Sequence, residues 1–213
     1  MKSKHLILHI ILLAMTSLAC FATSMETAQN GVLFSDDFSY SSKKWDQYTD
    51  SYHMTGYYNN AFRIVVNEIR TDAWSNPSKE SFIDTRIEVD ATKNSGPDDN
   101  DFGLICRYID TNNFYYGIIS SDGYYSIMKM TSDKGIFLGR DSMLESDKIK
   151  LGNSTNHIRF DCVGSTLTLY VNGFKIDQQT NPDYTTGNVG LISGTLGTGG
   201  TDILFDNFYV YKP

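Results

Sequence analysis

Residue types that usually advertise chemistry are scarce in this 213-residue chain: three cysteines, four histidines, two tryptophans and four prolines. His5 and His9 fall near the start, which leaves His53 and His157 for the rest. HExxH, CxxC and GxSxG are all absent, so zincin, zinc-ribbon and serine-hydrolase readings have no support. A Cys106–His157 dyad would need a reactive thiol, whereas Cys106 reads as a core residue of a strand. There is no basic run, and the formal net charge is −7. That balance argues against nucleic acid or an anionic membrane surface as partner. Internal repeats and Pro- or Ser-rich linkers are missing as well. Helical periodicity is nearly so; Leu144–Lys150 is the best candidate and amounts to one turn.

One apolar run stands out, and it is short. Lys2, Lys4 and His5 form a basic region, Leu6–Met15 an apolar core, and residues 16–22 are mostly small. This is the pattern of a secretory signal and is too short to span a bilayer comfortably. Residues 1–22 are therefore expected to be a signal peptide, 23–30 a polar tether and 31–213 a single domain. Ser17-Leu18-Ala19-Cys20 is similar to a lipoprotein box, which would put a lipid on Cys20 and make that lipid the only membrane contact. Ordinary cleavage after Ala22 or Ser24 is the alternative. Both stand open. With Cys20 assigned to the leader, Cys106 and Cys162 remain, each within a strand pattern. In an oxidising compartment they can pair and close a loop worth about 3–5 kcal/mol. Two buried thiols acting as small hydrophobes are the other outcome.

What the chain has in quantity is period-two alternation. Phe62-Ile64-Val66 and Ile83-Thr85-Ile87-Val89 face one way, with Arg63 and Asp84-Arg86-Glu88-Asp90 facing the other. Phe102–Ile109, Phe114–Ser120 and Tyr124–Met130 read as three consecutive strands. An Asp110–Asn113 turn joins the first two, and a two-residue Asp122-Gly123 turn the last two. Further strands are expected at Asn156–Val163, Thr166–Val171, Phe174–Asp177, Asn188–Ser193 and Ile203–Tyr211, separated by Gly164-Ser165, Asn172-Gly173 and Thr186-Gly187. Asn94–Asp101 and Leu196–Gly200 look like loops. The fold class is all-β, a single jelly-roll β-sandwich of two antiparallel sheets.

These pieces carry a family likeness. Phe34-Ser35-Asp36-Asp37-Phe38, Trp45, Phe102–Tyr108, Asn113-Phe114-Tyr115 and Asp122-Gly123-Tyr124 fall in order, followed by Leu169–Gly173, Gly187–Leu191 and Phe205–Phe208. Together they resemble bacterial secreted domains of the concanavalin A-like lectin/glucanase superfamily, nearest the laminin G-like and 3-keto-disaccharide-hydrolase-like jelly rolls. The resemblance implies that the first strand, Val32–Phe38, lies beside the last. It also implies a structural calcium near the termini, with Asp37 and Asp206 as ligands; turn-capping by the same two aspartates is the competing role. Fold likeness hosts lectins, adhesion modules and glycosidases alike.

Chemistry is harder to find. The Glu-x-Asp-x-x-Glu strand motif of family 16 glucanases is absent. Asp84 and Glu88 sit four apart on one strand, roughly 13 Å, too far for a retaining pair. Asp98-Asp99-Asn100-Asp101 is expected to be a solvated loop. The aromatic patch remains: Arg107, Tyr115 and Lys129 on central strands, with Trp45, Trp74, Tyr57 and Tyr125 at strand ends or loops, can line a concave groove for a sugar. Packing is the alternative role for each of them. The expected function is a secreted or lipid-anchored carbohydrate-binding domain without catalysis, with a cell-surface glycan as partner. A glycoside hydrolase and a protein adhesion module are the alternatives.

Overall fold

A computed structural model describes residues 31–213 apart from Lys43 and Lys79. The leader, Cys20 and the tether lie outside the described residues. The strands are β1 (Val32–Asp36), β2 (Tyr48–Thr49), β3 (His53–Tyr58), β4 (Ala61–Val66), β5 (Asp72–Ser75), β6 (Thr85–Ser95), β7 (Asn100–Asp110) and β8 (Asn113–Ile119). They continue with β9 (Tyr124–Thr131), β10 (Lys134–Phe137), β11 (Leu144–Glu145), β12 (Asn156–Val163), β13 (Thr166–Val171), β14 (Phe174–Thr180), β15 (Asn188–Thr195) and β16 (Thr201–Tyr211). No helix occurs among the described residues. Where one turn of helix was expected, Leu144–Glu145 instead adds to β9 and Ile149 turns into the core.

The strands form two antiparallel sheets stacked as a sandwich. One runs β14-β13-β12-β6-β16-β4-β3-β2 with β1 on β16; the other runs β10-β9-β8-β7-β15-β5 with β11 on β9. First and last strands are neighbours, as the resemblance implies. Period two puts Phe62, Ile64, Ile87, Val89, Phe160 and Leu169 from one sheet against Phe102, Leu104, Tyr115, Ile127 and Leu191 from the other. Each such fully buried side chain contributes roughly 1.5–3 kcal/mol. The same alternation leaves Ile105, Phe114, Tyr116, Ile118, Met128 and Ile192 on the opposite, outer face of the seven-stranded sheet, where they form a second apolar cluster. Between the sheets, Cys106 of β7 is bonded to Cys162 of β12.

Turn chemistry follows the sequence, with one correction. Asn172 and Gly173 both have positive φ (51° and 85°), the type I′ hairpin expected of Asn-Gly. At Asp122-Gly123 only Gly123 has positive φ, and Gly123 N–H donates to Ser120 C=O while Ser120 N–H donates to Tyr124 C=O. That is a three-residue loop closed by a left-handed glycine, not a two-residue turn. The alternating charges of β6 are tied down, not simply solvated. Arg86 donates to Glu88, His157 Nδ1 lies 2.8 Å from Asp90, and Glu88 is only 9% exposed.

Candidate functional site

Two adjoining hollows, of about 320 and 240 Å³, share Asp72: the second lies on the outer face of the seven-stranded sheet, and the first at its β5 edge, where β2 and β3 of the other sheet help to wall it. Their floor is the second apolar cluster. The first hollow is lined by Tyr48, His53, Trp74, Asn76 and Tyr108 among others. The second is lined by Arg70, Asp101, Tyr116, Met128, Phe137 and Met143 among others. Together they make a trough with a carboxylate at its middle.

Register explains why the acids meet. Asp72 on β5 pairs with Gly194 on β15, and Gly194 pairs with Asp101 on β7. Residues in register on adjacent strands point to the same face, so two carboxylates flank a position with no side chain. A methyl carbon at Gly194 would stand 2.1 Å from Asp72 Oδ1 and 2.8 Å from Asp101 Oδ1, which puts those oxygens within about 5 Å of each other. Only glycine leaves that space open. Loops at both ends hold the pair in place. Asn100 is fully buried and its amide donates to Pro97 C=O (2.7 Å) and Ser121 Oγ (3.1 Å), which fixes the start of β7. Thr195 Oγ1 donates to Glu68 C=O, and Thr195 N–H to Thr71 C=O, which fixes the turn into β5.

The electrostatics are those of charge held out of water. Burial pushes the Asp72 carboxyl up to about 6. Burial, with repulsion from Asp72 and Asp99, pushes Asp101 well above the ordinary carboxylate range. Asp101 is 5% exposed, and its Oδ1 is buried with no hydrogen-bond partner among the described residues. Burial raises the Tyr116 hydroxyl as well, with both acids adding to the effect, so it lies within their field. In the other hollow, His53 Nε2 is also buried and unpartnered, while its Nδ1 lies 3.3 Å from Asp50 Oδ1.

Of the aromatic and basic residues expected at a sugar site, the structure brings only Trp74 to this trough. The other side chains are buried or already paired. Trp45 is 2% exposed, packed against Phe38, Phe62 and Phe208, with its N–H donated to Asp36. Tyr57 donates to Asp36 Oδ2 at 2.8 Å, and burial holds its hydroxyl up at about 12. Tyr115 and Tyr125 face the inter-sheet core. Arg107 occupies a bulge with φ of 52°, which turns its side chain inward to donate to Tyr184 C=O and Ile83 C=O and to meet Asp84 at 3.3 Å. Lys129 is paired with Asp183 over the Tyr184 ring.

The terminal aspartates are engaged in turns. Asp37 Oδ1 accepts from Ser39 N–H and Oγ–H, and Asp206 Oδ1 from Asn207 N–H. Among the described residues there is no group of three or more His, Cys, Asp or Glu side chains arranged to hold a metal ion. Asp101, read from sequence as part of a solvated loop, is the buried second residue of β7. Asp72 and Arg70 escaped sequence reasoning because β5 has only four residues, Asp72–Ser75, too few for periodicity to register. The one available signal was Gly194, directly after the strand expected at Asn188–Ser193, where a glycine permits a close approach.

Sheet order, stacking and paired termini define the class of this chain: a concanavalin A-like jelly roll. Its sequence matches no family model and no curated protein. Among solved structures it is similar to the carbohydrate-binding module CBM66 from Bacillus subtilis, with TM-score 0.65 and 15% identity over 79% of this chain and 96% of that one. It is also similar to a Bacillus licheniformis beta-glucanase, with TM-score 0.60 and 12% identity over 87% of this chain and 100% of that one. A third likeness is to a Bacillus subtilis protein of unknown function with a galectin-like fold, with TM-score 0.58 and 12% identity over 84% and 95% of the two chains. At these identities the likeness is one of fold.

Proposed function

We propose that this chain is an extracytoplasmic carbohydrate-binding domain whose ligand lies along the trough on the outer face of the seven-stranded sheet. One observation carries the reading. Several polar groups that line the trough lack protein partners, whereas those of Trp45, Tyr57, Arg107, Tyr115 and Lys129 are already used. Asp72, Asp101 and Arg70 make no side-chain hydrogen bond or ion pair among the described residues, and neither do the Trp74 indole N–H or the hydroxyls of Tyr48, Tyr108 and Tyr116. Free donors and acceptors beside half-buried aromatic rings suit a sugar, which offers an apolar ring face and a rim of hydroxyls. The inter-sheet disulfide supports an oxidising compartment. A lipid on Cys20 and a calcium ion held by Asp37 and Asp206 belong to the same proposal.

The test is a glycan-array screen of the domain with and without EDTA, repeated with Trp74→Ala. Wild type is expected to bind at least one glycan, and Trp74→Ala to weaken that binding about 10- to 100-fold, the loss of one stacked ring. A silent array, or binding that ignores Trp74, overturns the proposal. A fall in melting temperature with EDTA is the outcome expected of a bound calcium. The expectation that binding proceeds without cleavage rests on the absence of a one-strand acid motif. Asp72 and Asp101 come from two different strands, so that absence says nothing about them.

A further inference from the structure

We propose that Asp72 and Asp101 are a catalytic acid pair that hydrolyses a glycosidic bond lying across Gly194. This inference rests on the reading that the trough holds carbohydrate. Its basis is geometric: the carboxylates face each other over a residue without a side chain, with oxygens within about 5 Å. That upper limit excludes the separation of about 6.5–9.5 Å that inverting pairs need to admit a water, and lies just under the roughly 5–5.5 Å of pairs that cleave with retention of configuration. A structural role for the pair is poorly supported. A buried carboxylate kept for stability is paired with a cation or with hydrogen-bond donors, and Asp101 has neither. An unpaired acid 95% buried and turned into a hollow costs stability, and active sites are where such costs are kept. Hollows on both sides of Asp72 provide room for sugar units on each side of the bond.

The two roles follow from the two environments. Asp101, more deeply buried and repelled by Asp72 and Asp99, holds its proton and is the acid; Asp72, nearer the opening, is the nucleophile. In the first step Asp101 gives its proton to the glycosidic oxygen as the C1–O bond breaks, and an Asp72 oxygen bonds to C1. In the second step the ionised Asp101 takes a proton from water, whose oxygen bonds to C1. The ester bond breaks, its electrons return to Asp72, and both acids regain their starting states. One water is consumed and one new reducing end appears.

The experiment uses wild type, Asp72→Asn and Asp101→Asn with mixed-linkage β-glucan, xylan, levan, arabinan, galactan and chitin oligosaccharides. Binding, new reducing ends and melting temperature are all measured. Wild type is expected to release reducing ends from a polysaccharide it binds, with the product anomer unchanged by NMR. Each variant is expected to lose that release by about 100-fold or more while binding within tenfold of wild type. Both variants are also expected to melt no lower than wild type at pH 7, because a neutral isosteric amide puts no charge into the buried site. The melting temperature therefore separates lost chemistry from lost folding. Binding without release in wild type, or release undiminished in both variants, overturns this inference and leaves carbohydrate binding intact. Binding to none of the polysaccharides overturns the binding proposal and this inference with it.

Discussion

Single carboxyl groups set the pH behaviour of this molecule. Asp72 has a folded-state value of about 6 against an ordinary value of 3.8, so the folded state holds its proton more tightly than the unfolded state. The stability tied to that proton is complete below about pH 4 and is lost as pH rises through about 6, with Asp101 extending the loss to higher pH. The melting temperature is therefore expected to fall between pH 4 and 8, and to fall less in Asp72→Asn. A flat profile would mean that the two acids are solvated. Arg107 illustrates the opposite case, a charge that sequence offered as a ligand contact and that a bulge turned inward. Its guanidinium satisfies two loop carbonyls, and its backbone lies in a conformation that few non-glycine residues adopt.

At the scale of strands, the trough is a product of register. Shifting β15 by one residue would remove Gly194 from between the acids and bring Ser193 or Thr195 to that place. Gly194→Ala makes a smaller disturbance of the same kind. Its methyl group would meet both carboxylates at under 3 Å. The variant is expected to lose about 1–3 kcal/mol in denaturant unfolding and most of the binding in the trough. An unchanged variant would show that the carboxylates swing freely apart. Strands of six or more residues with full alternation, such as β12 and β13, were legible to the residue, because both faces repeat several times. β5 is not legible, and the beginning of β7 reads as loop because Asp98-Asp99-Asn100-Asp101 is polar throughout. The aromatic patch was legible as strands but not as faces. Tyr115 and Tyr116 are adjacent in sequence, yet one packs between the sheets and the other lies under the trough. The acid pair could not be read at all, since it depends on which strand stands between β5 and β7.

For the whole molecule, the Cys106–Cys162 bond joins the sheet that carries the trough to the sheet that carries the termini. It closes 56 residues of separation, which the chain-entropy account values at about 4 kcal/mol. Reduced protein is expected to unfold at lower denaturant by about that free energy, measured against the oxidised form with thiols quantified in parallel. Equal midpoints would mean the two sheets need no covalent link. Both described ends of the chain, at β1 and β16, lie in the nine-stranded sheet, side by side and on the far layer from Asp72 and Asp101. A bead, a dye or a second protein attached at either end would hang from the back of the sandwich. The domain can thus be held by its ends and still press its working surface flat against an insoluble polymer.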